Sequence, residues 1–107
     1  MSVTLRDAQH LCWKNFKKIG TLDLEKNKTW TPVVTVTDLL GEAEETAAFI
    51  RDLEDAKPLE KPEVKAQLAT KFSDLLYYVF VLSEHYGIEL EESFLQTVND
   101  YLLKFVS

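Results

Sequence analysis

From Leu75 to Leu82 every residue is apolar or tyrosine. On a helix such a run leaves no polar side for water, so the helix has to be surrounded by other elements. The rest of the chain limits what those elements can be. Only three Gly and three Pro punctuate 107 residues, and apolar residues recur at spacings of three and four, so the elements are few, long and helical. A chain of this length is expected to form one domain, residues 1–107, and to gain from self-association. It holds too few helices to cover the Leu75–Leu82 segment by itself, so a homo-oligomer, at least a dimer, is the expectation.

The periodicity predicts four helices. The first runs from about Thr4 to Ile19, with Leu5, Ala8, Cys12, Phe16 and Ile19 on one stripe, Lys14, Lys17 and Lys18 on a solvated side, and Gly20 as a C-terminal stop. Residues 21–31 lack helical periodicity. Thr31 and Pro32 read as an N-cap and a first-turn proline, and the β-branched run that follows leaves the start of helix two anywhere from Pro32 to Asp38. Its pattern is clear to Leu53. The charged stretch from Asp55 to Pro62 carries two prolines and makes the turn. Helix three, with Pro62 as an early residue, runs to Tyr86 and stops at Gly87, and from Leu90 a fourth helix places Phe94, Leu95, Val98, Tyr101, Leu102 and Phe105 on one side. The fold class is all-α: an antiparallel hairpin of helices two and three, flanked by helices one and four, that forms a four-helix-type bundle core on oligomerisation.

A formal charge of −6 argues against nucleic acid as a partner, because that affinity depends on Lys and Arg neutralising phosphates. A free nucleotide fits, since a metal can bridge acidic protein and acidic ligand. No apolar run approaches the roughly 20 residues of a membrane span, no basic-then-apolar leader opens the sequence, and the single Cys12 reads as a small core residue. A reducing, cytoplasmic setting without a membrane partner is the expectation.

The chemistry lies in the acids. On a wheel at 100° per residue, Asp38, Glu42, Glu45 and Asp52 fall within one narrow stripe. Leu39, Leu40, Ala43, Ala47 and Ile50 form the apolar face beside it, with Phe49 and Leu53 at the shared edge, which partly desolvates Glu42. Asp74 opens the apolar segment of helix three and shares a face with Tyr78 and Val81. A carboxylate carried into a packed environment needs a cation, a hydrogen-bond network or a proton. Two facing helices bearing such acids gather hard oxygen ligands suited to Mg²⁺ or Mn²⁺, and magnesium takes only one or two carboxylates, leaving the remainder to water and substrate phosphates. The plainer account is a charged helix border with one satisfied buried acid.

The run from Leu40 to Ala47 with Glu42 and Glu45, then Asp74 to Tyr78, then Leu82 to Leu90 through Gly87, resembles the MazG-like all-α nucleoside triphosphate pyrophosphohydrolases over roughly residues 30–100. In that family an E-x-x-E on one helix and an E-x-x-D on the next hold the metal. The resemblance implies Glu42, Glu45 and Asp74 as metal ligands, with Lys71 standing where the second motif has Glu. Three roles are open to Lys71. It fills the metal position and makes the site structural, it coexists with one metal and contacts a phosphate, or it points away while Asp38 or Asp52 supplies the ligand.

What the resemblance implies is Mg²⁺-dependent hydrolysis of a nucleoside triphosphate, in particular a deoxynucleotide, to monophosphate and pyrophosphate, by a dimer or tetramer. Glu42, Glu45 and Lys71 are its catalytic candidates. Trp30, Lys71, Tyr78 and Asn99 are its substrate-binding candidates, with a core aromatic and an exposed amide as the plainer accounts of Trp30 and Asn99. The rival reading is a catalytically silent helical oligomer that binds a nucleotide or a protein partner, Lys71 having replaced a metal ligand.

Overall fold

The structure, a computed structural model, describes residues 2–23, 30–56 and 61–106; the expected loop at 24–29 and the centre of the turn at 57–60 lie outside these. Among the described residues the chain is all-helical: α1 (Leu5–Asp23), α2 (Pro32–Ala56), α3 (Pro62–His85) and α4 (Leu90–Val106). No helix among the described residues is long and apolar enough to cross a membrane.

Local chemistry sets the helix ends. Thr4 and Asp7 form a reciprocal capping pair at the start of α1: the Asp7 amide donates to Thr4 Oγ1 at 3.0 Å and the Thr4 amide to Asp7 Oδ2 at 3.2 Å. Both α2 and α3 open on proline, whose fixed φ suits the first helical position and whose missing N–H removes a donor the helix could not use. After α3, Gly87 adopts φ 68°. The amides of Ile88 and Gly87 turn back to the carbonyls of Ser83 and Glu84 at 2.8 and 3.1 Å, a Schellman closure that allows α4 to start within a few residues. Gly20, in contrast, does not end α1, which continues to Asp23. A helical glycine costs only about 1 kcal/mol.

α3 is the central helix, packed on one side by α2 and on another by α1, while α4 lies along α1 rather than over the α2–α3 pair. Lys71 meets Phe49 while Tyr78 lies in the field of Asp38, so α2 and α3 run antiparallel. Tyr77 Oη donates to Asn15 at 2.7 Å and Gln9 reaches Glu84, so α1 and α3 do likewise.

The core contains Leu53, Val64, Phe80 and Val81 together with four polar residues, Gln9, Thr35, Thr46 and Ser83. No buried side-chain nitrogen or oxygen among the described residues lacks a hydrogen-bond partner. Two expected faces are corrected. Ile19 is exposed, and the fully buried position of α1 is Gln9. Leu40 and Ala43 are also exposed, because the inward stripe of α2 is Thr35, Leu39, Glu42, Thr46, Phe49 and Leu53. Spaced by four and three, these six fall within about 80° of one another on the helix. Their two threonines are buried at little cost, since Thr46 Oγ1 donates to the Glu42 carbonyl at 2.7 Å and Thr35 Oγ1 accepts from Trp30 Nε1 at 2.9 Å. On α3, Leu76 is 49% exposed and Phe72 is exposed one turn before it, in keeping with a single chain that has too few helices to cover this segment.

Candidate functional site

The α2 stripe carries Glu42 into the seam with α3, where it is half-buried, while Glu45, one turn on, stands exposed at the lip. With Phe49 they form one wall of an open cleft of about 510 Å³. The opposite wall comes from α3, through Gln67, Thr70, Lys71 and Asp74. Two segments almost thirty residues apart thus bring Glu42, Glu45, Lys71 and Asp74 to one place, with Lys71 and Asp74 half-buried. Their spacing of three puts both on the same side of α3.

The position of the Lys71 ammonium is informative. Helical spacing permits a pair with Asp74, and the cleft offers Glu42 and Glu45, yet among the described residues no ion pair within 4.0 Å joins Lys71 to any of them. Its Nζ lies over the Phe49 ring instead, 5.4 Å from the centroid, within cation–π range.

Tyr78, one turn beyond Asp74, reports the field at the inner end of this seam. Burial pushes its phenol above the ordinary value, and the carboxylates of Asp38, Glu42 and Asp74 push it further in the same direction. Carboxylates of both helices thus act on Tyr78, and Lys71 is the cationic group of the cleft wall among the described residues.

Glu42, Glu45 and Asp74 are hard oxygen donors, the type that Mg²⁺ or Mn²⁺ takes. Among the described residues no three His, Cys, Asp or Glu side chains are arranged to hold a metal ion unaided. Magnesium ordinarily takes one or two carboxylates, with the remaining positions filled by water and phosphate oxygens, and carboxylates are the donor type these three residues offer.

Three predicted residues are not part of the cleft walls: Tyr78 lies one turn beyond Asp74, and Trp30 and Asn99 lie elsewhere. Trp30 is half-buried among aromatic rings, with centroids 5.2 Å from Phe16, 5.2 Å from His85 and 6.4 Å from Trp13. It ties the start of α2 to α1 and to the far end of α3. His85 lies eleven residues past Asp74, or about 16 Å along the helix. Asn99 is exposed on α4, away from the cleft walls.

Sequence reading missed Gln67 and Thr70 and treated Phe49 only as an edge residue. The available signal was the four-three spacing from Thr35 to Leu53, visible once threonine is allowed on a buried face. Comparison with protein-family models, curated proteins and solved structures found no match.

Proposed function

We propose that the α2–α3 cleft binds a nucleoside or deoxynucleoside triphosphate together with Mg²⁺, or Mn²⁺ in its place, and that the protein hydrolyses it to monophosphate and pyrophosphate as the MazG-like enzymes do. One observation carries this reading: the convergence of Glu42, Glu45, Asp74 and Lys71 from two helices on a single cleft. Bound there, the metal would polarise phosphate oxygens and acidify a coordinated water. Glu42 and Asp74, half-buried in the seam, are the holding ligands. Glu45, exposed at the lip, has a free carboxylate to orient a water and accept its proton. Lys71, with no carboxylate partner among the described residues, offsets the charge of a phosphate. The reading also includes a homo-oligomer, because apolar residues on α2, α3 and α4 face solvent in the single chain.

The test is incubation of the folded protein with each common nucleoside and deoxynucleoside triphosphate and Mg²⁺. Release of pyrophosphate with the matching monophosphate from at least one is expected. No release from any of them overturns the assignment.

A second reading, a silent oligomer that binds a nucleotide or a protein partner, has one feature in its favour: Lys71 stands where a fourth carboxylate would complete the acidic set. Lys71→Glu separates the two. In a silent protein this change creates or strengthens metal binding. In the enzyme it removes a phosphate contact and lowers activity.

A further inference from the structure

We infer that Phe49 is a positioning residue for Lys71: its ring holds the ammonium in the cleft while leaving the charge and the N–H donors available to an anion. The inference rests on the cleft being a triphosphate site and adds the device that keeps its cation usable.

A lysine beside carboxylates ordinarily pairs with one of them. Lys71 has Asp74 three residues on along its own helix, with Glu42 and Glu45 across the cleft. A carboxylate partner would neutralise the ammonium and occupy its donors. The face of Phe49 does neither. An aromatic quadrupole attracts a cation without accepting conventional hydrogen bonds, so the N–H groups turned away from the ring stay open to phosphate oxygens. The geometry suits this division of labour. Lys71 is half-buried, so its methylene stem packs in the seam while Nζ sits 5.4 Å from the ring centroid. Phe49 in turn is fixed by the buried stripe of α2 between Thr46 and Leu53. It adds no charge of its own that would repel an incoming phosphate.

The probe is magnesium tripolyphosphate, titrated calorimetrically into the full chain and into Phe49→Leu, Phe49→Tyr, Lys71→Met and the Phe49→Leu/Lys71→Met double variant. Lys71→Met is expected to weaken binding about tenfold, the scale of a charge-assisted contact. Phe49→Leu should weaken it about threefold, the scale of an exposed cation–π contact. Phe49→Tyr keeps an aromatic face and should bind like the wild type, and Phe49→Leu should have no further effect once Lys71 is replaced. A spectroscopic readout accompanies binding: the ring current of Phe49 shifts the Lys71 ε-methylene protons upfield, and Phe49→Leu removes that shift. Wild-type affinity in Phe49→Leu, an equal Phe49→Leu effect with and without the lysine, or unshifted ε-methylene protons in the wild type overturns the inference and leaves the triphosphate reading standing. No binding by the wild type overturns both.

Discussion

Gln9 has both ends of its amide engaged. Nε2 donates to the Ile88 carbonyl at 2.6 Å and to Glu84 Oε1 at 3.3 Å, and Oε1 accepts from the Leu90 amide at 3.0 Å. One side chain 1% exposed thereby fastens α1 to the end of α3 and the start of α4. Around it Arg6 pairs with Glu89 at 3.1 Å and Glu91 at 3.6 Å, and His10 lies against Glu84. Gln9→Leu strands backbone groups of the turn and should lower unfolding stability by about 1–3 kcal/mol in urea titration; an unchanged midpoint would show that the clamp contributes nothing. The tyrosines of α3 give a pH prediction. Burial, then Asp38, Glu42 and Asp74, raises the Tyr78 phenol above its ordinary value, and burial, then Cys12 and Tyr78, does the same for Tyr77. With folded values above the unfolded value of about 10, both contribute stability that is complete below pH 10 and is lost as pH rises through the folded values. Glu42→Gln removes one of the repelling charges. Tyrosinate absorbance should then show Tyr78 ionising at a lower pH than in the wild type, and an unmoved titration would contradict the placement of Glu42 beside it.

At the scale of elements, two glycines have opposite roles. Gly87 sits at φ 68°, where a β-carbon is strained even though no atom lies within 4 Å of it, whereas Gly41 is helical and has equally open space around it. Gly87→Ala should cost about 1 kcal/mol and Gly41→Ala should gain about 0.5–1 kcal/mol in denaturant midpoints; shifts of the same sign would contradict the turn geometry. The existence of all four helices was legible in the sequence, as were Pro62 near the start of α3 and the glycine after its end, because those signals are local, whereas the β-branched run after Pro32 left the start of α2 open as far as Asp38. Facing was less legible. Counting only apolar residues on α2 selects Leu40 and Ala43, which are exposed, while Thr35 and Thr46 turn inward with their hydroxyls hydrogen-bonded. For the same reason the cleft was legible only in part. Glu42, Glu45, Lys71 and Asp74 could be picked from spacing and resemblance, but the contact of Lys71 with Phe49 depends on the relative rotation of two helices, which no single-helix periodicity contains.

At the scale of the whole molecule, α4 meets the other helices chiefly along α1. Phe94, Leu95, Val98, Tyr101, Leu102 and Phe105 are all exposed, Phe105 by 84%. A contiguous apolar face of this kind is uncommon on a soluble monomer, and with Leu76 and Phe72 on α3 it supports association of chains. Sedimentation should find a dimer or larger in the wild type, and Leu95→Glu with Leu102→Glu should shift it towards monomer; a wild-type monomer at all concentrations would contradict the oligomeric part of the proposal. In the proposed function, Glu42 and Asp74 share a metal with the phosphates of a nucleotide in the α2–α3 cleft. Calorimetric titration of Mg²⁺ into the protein, with and without a non-hydrolysable nucleoside triphosphate, tests it most directly. Weak binding of Mg²⁺ alone, at least tenfold tighter binding with the nucleotide present, and loss of that gain in Glu42→Gln are expected. Mg²⁺ binding that the nucleotide leaves unchanged, or that survives Glu42→Gln intact, would contradict it.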